Sequence, residues 1–98
     1  MNMQALMRQA QQMQQDVLKS KKEIDEMEFE GKSALVAVKI NGAKQVLSVK
    51  IENDNDVKED LSILEDMIVI AFNDALKQVD AVTNVKMGKY SSAMPGLF

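Results

Sequence analysis

Apolar residues in the first quarter of the chain fall at Met3, Leu6, Ala10, Met13, Val17, Ile24 and Met27, in steps of three and four with one skipped position at Ser20. This is a heptad seam, the pattern of a long helix that packs against another helix. No Gly or Pro interrupts it, so residues 1–26 are predicted as one helix. About 25 residues at 1.5 Å each span roughly 37 Å. A rod of that length overhangs a small domain unless something receives it.

The period then shortens to that of a strand. Met27, Phe29 and Gly31 alternate in MEFEG, with Gly31-Lys32-Ser33 expected as the turn that follows. Ala34, Val36, Val38 and Ile40 share one face of ALVAVKI, and Leu47, Val49 and Ile51 share one face of VLSVKI. Between them stands Asn41-Gly42, the strongest short hairpin signal, because both positions of such a two-residue turn need φ > 0. Residues 27–52 are thus predicted as a three-stranded antiparallel meander with one apolar face that wants a helix on it.

A polar break, Asn53-Asp54-Asn55-Asp56, precedes the second helix, expected over 57–87. Asp56 with Glu59 resembles a capping box, and Gly88 is the expected stop. Residues 88–98, ending SSAMPGLF, read as a flexible tail. Within the helix, ILEDMIVIAFNDA (63–75) has nine apolar residues in thirteen. A core-facing stripe needs about 100° of the wheel. Here Ile63, Leu64, Met67, Ile68, Ile70, Ala71, Phe72, Ala75 and Leu76 extend it to roughly 240°. Part of that arc covers the sheet, and the surplus needs a second partner, either the first helix or a second copy of the chain. Exposing four or five such side chains would forgo about 1.5–3 kcal/mol each, comparable with the whole stability of a small domain. A twofold homodimer is the commonest remedy. The fold class expected is α+β: a long N-terminal helix, a three-stranded antiparallel meander and a long C-terminal helix.

Ninety-eight residues make one domain, 1–98. Cysteine and histidine are both absent. That removes disulfides, thiolate nucleophiles, His-based triads and the usual soft metal ligands. The four glycines are isolated, so no phosphate-cradling loop is present. Asp25/Glu26, Glu59/Asp60 and Glu65/Asp66 are adjacent acids on helices, which point about 100° apart and do not converge within one chain. No catalytic residue, metal, cofactor or small-molecule substrate is expected. The glutamine-rich start is not a secretory signal, and MIVIAF (67–72) is too short to cross a bilayer, so a cytoplasmic, non-membrane location is expected.

The formal charge of −3 argues mildly against nucleic acid, but charge is strongly blocked along the chain. Residues 1–22 hold Arg8, Lys19, Lys21 and Lys22 against Asp16 alone; residues 23–30 hold five acids and no base. Residues 31–51 hold four lysines and no acid; residues 52–80 hold nine acids against Lys58 and Lys77; Lys86 and Lys89 follow. The two ends are basic and the second helix has an acidic middle.

RQAQQMQQ (8–15), VKINGAKQVLSVKI (38–51), EDLSILEDMIVIAFNDAL (59–76) and PGLF (95–98), in this order and spacing, resemble the YbaB/EbfC family of small bacterial nucleoid-associated proteins. The resemblance covers nearly the whole chain. It implies an α+β homodimer with tweezer-like helical arms that grips double-stranded DNA in the nucleoid. It also implies that Asn41-Gly42-Ala43 and Ala71, Phe72, Asn73, Asp74 and Ala75 are scaffold.

Phosphate contacts need Lys or Arg on a surface a duplex can reach. Arg8, Gln12, Lys19, Lys21, Lys22, Lys86 and Lys89 are the candidate DNA-binding residues. The surplus-arc residues of the second helix are the candidate core and dimer interface. Two competing readings stand beside these. Lys19 with Glu23 and Lys22 with Glu26 are spaced as ordinary i,i+4 surface pairs. The first-helix seam with Met3, Met7 and Met13 also suits a protein-interaction scaffold.

Overall fold

Asn2 starts the first helix: its side-chain oxygen accepts from the Gln4 amide at 3.0 Å, a standard N-cap bond. The computed structural model describes residues 2–54 and 58–91. Helix α1 spans Met3–Glu26 and ends where Met27 turns extended, its N–H bonded to the Ile24 carbonyl at 3.0 Å. Strands β1 (Glu28–Ser33), β2 (Val36–Asn41) and β3 (Val46–Ile51) form an antiparallel sheet in the order β1-β2-β3. Helix α2, Leu61–Ser91, is the last of the described elements. The molecule is elongated, with principal extents of 71 × 19 × 14 Å. The expected α+β architecture of two long helices around a three-stranded antiparallel sheet is what the structure has.

Three local expectations differ from the structure. Gly31 is not a turn residue; it pairs with Val38 inside β1, and the turn falls at Ala34-Leu35, with Ala34 at φ 49°. Asn41-Gly42 is not a two-residue turn. Asn41 still belongs to β2, and the loop is residues 42–45, with Lys44 at φ 66°. Asn41 clamps that loop through its side chain, which bonds the Gln45 amide at 2.9 Å and the Gln45 side chain at 2.8 Å. The extra loop residue is absorbed by a register shift between Lys39 and Ile40.

The second helix is the third difference. Its cap is Asp60, whose carboxylate accepts from the amides of Ser62 (3.1 Å) and Ile63 (3.4 Å) and from the Ser62 hydroxyl (2.6 Å). The Ser62 hydroxyl bond, followed by the Ile63 amide bond, holds this carboxyl below its ordinary pKa. The expected cap, Asp56, lies outside the described residues. At the other end Gly88 does not stop the helix, which continues to Ser91. A mid-helix glycine costs about 1 kcal/mol relative to alanine. Met87 and Tyr90 on either side of it are buried against Val17 and Ile24, and that burial outweighs the cost. Of the expected tail, residues 88–91 are therefore helical, and 92–98 lie outside the described residues.

The main core is built on one face of the sheet. Phe29, Val36, Val38 and Ile40 meet Ala71, Ala75 and Val79 of α2, with Leu64, Met67, Ile68, Phe72 and Leu76 packed around them. Alanines at 71 and 75 let α2 approach the sheet closely, and Gly31 sits under them. Asp74 accepts from the Lys32 amide (3.2 Å) and Gln78 donates to the Glu30 carbonyl (2.8 Å), so α2 is tied along β1. Strand β3 lies beyond its reach, and all six of its residues are exposed.

Candidate nucleic-acid interface

Helix α1 is held from Met13 onward, where Met13 packs at the edge of the cluster that Val17 and Ile24 form with α2. Val17 and Ile24 pack with Met87 and Tyr90 of α2, and Glu23 pairs with Lys86 at 3.9 Å. The Gly42 amide bonds the Met27 carbonyl at 3.0 Å, fastening the end of α1 to the hairpin. Every residue from Asn2 to Gln12 is exposed. The eleven residues concerned extend about 16 Å at 1.5 Å each. The seam is thus half filled, and the helix overhangs.

On this helix Arg8, Lys19 and Lys22 fall within an arc of about 60°, roughly 175° from the centre of the seam, with Gln12 at its edge. All four are exposed. The ion pairs among the described residues do not include Arg8, Lys19, Lys21 or Lys22. The i,i+4 pairs suggested by spacing are not made; Glu23 reaches Lys86 instead. Gln12 donates to Asp16 at 3.0 Å, which turns the one nearby acid toward the glutamine.

The other candidates go elsewhere. Lys21 lies about 160° around the helix from Lys19. It lines a groove of ≈ 270 Å³ whose floor includes Val17, Ile24, Val79 and Met87. Lys86 is half-buried and paired with Glu23, and the Lys89 ammonium stands 5.1 Å from the Tyr90 ring centroid. The lysines of the hairpin block are mostly neutralised: Lys32 by Glu30 (3.4 Å), Lys39 by Glu28 (3.9 Å) and Lys44 by Asp80 (4.0 Å). Folding therefore concentrates unpaired positive charge on the outward face of α1, which the linear charge blocks alone did not single out.

Of the candidate core and interface residues, Ala71 and Ala75 are fully buried in the sheet–helix core. Leu64, Met67, Ile68, Phe72 and Leu76 are half-buried against it. Ile63 and Ile70 are exposed. The sequence reading missed a second apolar surface. By register Val49 and Ile51 lie beside Val38 and Val36, on the core side of the sheet, yet α2 leaves them 44% and 45% exposed. The signal was present in the alternation of VLSVKI; which strand the helix would leave bare was not.

Among the described residues no group of His, Cys, Asp or Glu is placed to hold a metal ion. No helix among them is long and apolar enough to cross a membrane.

Two long helices on a three-stranded antiparallel meander, one of them overhanging with a cationic outer face, make this a small α+β protein with a projecting basic arm. The model of the YbaB/EbfC DNA-binding family matches residues 1–94, and the chain belongs to this family. A nucleoid-associated protein of Lactococcus lactis subsp. cremoris (strain MG1363) is 42% identical over 97 residues, covering 97% of this chain and 98% of the relative. A nucleoid-associated protein of Ligilactobacillus salivarius (strain UCC118) is 36% identical over 99 residues, covering 99% and 95%. The crystal structure of an uncharacterized protein, HP0035 from Helicobacter pylori, shares the fold with a TM-score of 0.72 at 21% identity, covering 96% of this chain and 99% of that one.

Proposed function

We propose that this chain is a nucleoid-associated protein that binds double-stranded DNA as a homodimer, through phosphate contacts made by the arms formed by α1. The observation that carries the reading is the outward face of α1, where Arg8, Lys19 and Lys22 are exposed and outside the ion pairs found among the described residues. Arg8 and Lys19 are eleven residues apart, about 16 Å along the helix, a span that reaches phosphates on one flank of a duplex. Membership of a DNA-binding family and relatives named as nucleoid-associated proteins support the same reading and a nucleoid location in the cytoplasm.

The dimer is supported by apolar surface that the described residues leave exposed: Val49 and Ile51 on β3, and Ile63 and Ile70 on α2. Pairing two copies hides that surface and doubles the cationic arms, so that two weak electrostatic footprints act together. The acidic middle of α2 repels the duplex and confines contact to the arms.

Gel retardation of duplex DNA at several ionic strengths tests the proposal. Binding should weaken steeply with salt, and reversing Arg8, Lys19 and Lys22 to Glu should abolish it. A second reading, a protein-interaction scaffold, rests on the exposed Met3 and Met7 of the seam, 71% and 60% accessible. Lack of DNA retention by the dimer even at low salt selects that reading.

A further inference from the structure

The two core clusters do not close completely on each other. Val79 belongs to the cluster on the sheet, while Val17, Ile24 and Met87 belong to the one between the helices. All four are buried, and together they form the floor of the groove of ≈ 270 Å³ between α1, the hairpin and α2. Backbone contacts set its walls. The Gly42 amide bonds the Met27 carbonyl at 3.0 Å, and a Cβ on Gly42 would strike the Ile24 carbonyl oxygen. The hairpin thus rests directly on the end of α1, and the groove is formed in advance, as small-molecule sites usually are. Three charged side chains line it. Lys44 meets Asp80 at 4.0 Å, whereas Lys21 is exposed and outside the ion pairs found among the described residues. Two cations against one acid leave a single positive charge in excess.

We propose that this groove binds a small aliphatic monocarboxylate, with its chain on Val17, Ile24, Val79 and Met87 and its carboxylate at Lys21. Charge selects the head. One excess positive charge suits a monoanion, and Asp80 repels a head that carries several negative charges, such as a polyphosphate. The lining selects the tail. None of its residues is aromatic, so a flat ring finds no stacking partner, while a hydrocarbon chain finds branched aliphatic side chains and a methionine. The volume is just below the roughly 300 Å³ at which small-molecule pockets begin, which fits one short chain and leaves no room for a two-chain lipid. Leu18, 67% exposed beside the groove, gains cover from that chain. Lys21 lies about 160° around α1 from Lys19. The groove is therefore separate from the Arg8–Lys19–Lys22 face, and the inference does not depend on the DNA-binding reading.

Octanoate and its uncharged counterpart octanol, titrated into the full chain labelled with ¹³C at the methionine methyl groups, test the site. Met87 reports from the floor, and the exposed Met3 and Met7 report adsorption to the seam of α1. Octanoate should shift the Met87 signal saturably, with a midpoint near or below roughly 1 mM, and leave Met3 and Met7 in place. Lys21→Glu, at an exposed position that leaves the fold intact, should weaken octanoate about tenfold by replacing an attraction with a repulsion. The same change should leave octanol within about twofold of its affinity for the parent, since an alcohol carries no charge for the lysine to attract. A Met87 signal that octanoate does not move would overturn the proposal. So would equal losses of octanoate and octanol in Lys21→Glu, or shifts confined to Met3 and Met7. A Met87 signal that moves with protein concentration in the absence of ligand would also overturn it and give the groove to a second copy of the chain.

Discussion

Gly31 and Ala75 are in such close register that a Cβ placed on the glycine would lie 2.7 Å from the Ala75 amide nitrogen and 2.9 Å from the Ala75 Cβ, besides striking the Ala71 carbonyl oxygen. The obstructing atoms are mostly helix backbone and cannot swing aside. Gly31→Ala must therefore lift α2 from β1, straining the bonds from Lys32 to Asp74 and from Gln78 to Glu30. We expect a loss of about 1–3 kcal/mol, read as a lower urea midpoint. A variant as stable as the parent would mean that the helix–sheet distance is not fixed at this point.

Asp60 gives α2 a start that depends on pH. Its folded-state pKa is lowered, chiefly by the Ser62 hydroxyl bond. The stabilisation is therefore complete above the unfolded value and is lost as pH falls through the folded one. Asp60→Ala should melt earlier than the parent at pH 7, and the gap should narrow as the pH drops below about 4. Asp60→Asn should melt between the two at pH 7, since its side-chain oxygen accepts the same amide bonds without the charge. A gap that stays constant across this range would show that the ionised carboxylate contributes nothing to the cap.

These two sites illustrate what was legible. Helix α1 could be read almost to the residue, because an uninterrupted seam leaves one period and one strong boundary. The strands could be read from alternation. The turns could not: glycine signals either a turn or a close approach, and Gly31 proved to be the second. Nothing in Ala34 announces a left-handed conformation. Gly88 looked like a stop because local propensity cannot see that Met87 and Tyr90 find Val17 and Ile24 across the fold. At the candidate site the basic blocks were visible, but their pairing was not. Glu23 is equally well spaced for Lys19, and only tertiary structure delivers it to Lys86 and leaves Lys19 outside the ion pairs.

The apolar row on β3 makes the dimer testable without disturbing the subunit. Val49 and Ile51 are exposed and contribute nothing to the buried core. Val49→Lys and Ile51→Lys should preserve the circular dichroism of the parent while weakening self-association by at least roughly tenfold each, about 1.4 kcal/mol. Sedimentation velocity reads the outcome. A parent chain that sediments as a folded single subunit at micromolar concentration would remove the dimer, and with it the paired arms.

The two faces of α1 separate phosphate binding from surface charge in general. Each neutralised phosphate contributes about 0.9 to the slope of log K against log salt. If Arg8, Lys19 and Lys22 of both protomers each engage one phosphate, the slope should be about −5. Arg8→Glu, Lys19→Glu and Lys22→Glu combined should eliminate binding, and any one of them alone should flatten the slope by about 2, since each occurs twice in a dimer. Lys21→Glu removes the same charge from a side chain that lines the groove between α1, the hairpin and α2, well away from that face. It should leave the slope within about one unit of the parent. If Lys21→Glu instead flattened the slope as much as Lys19→Glu, binding would follow the overall charge of the helix, and the outward face would lose its special role.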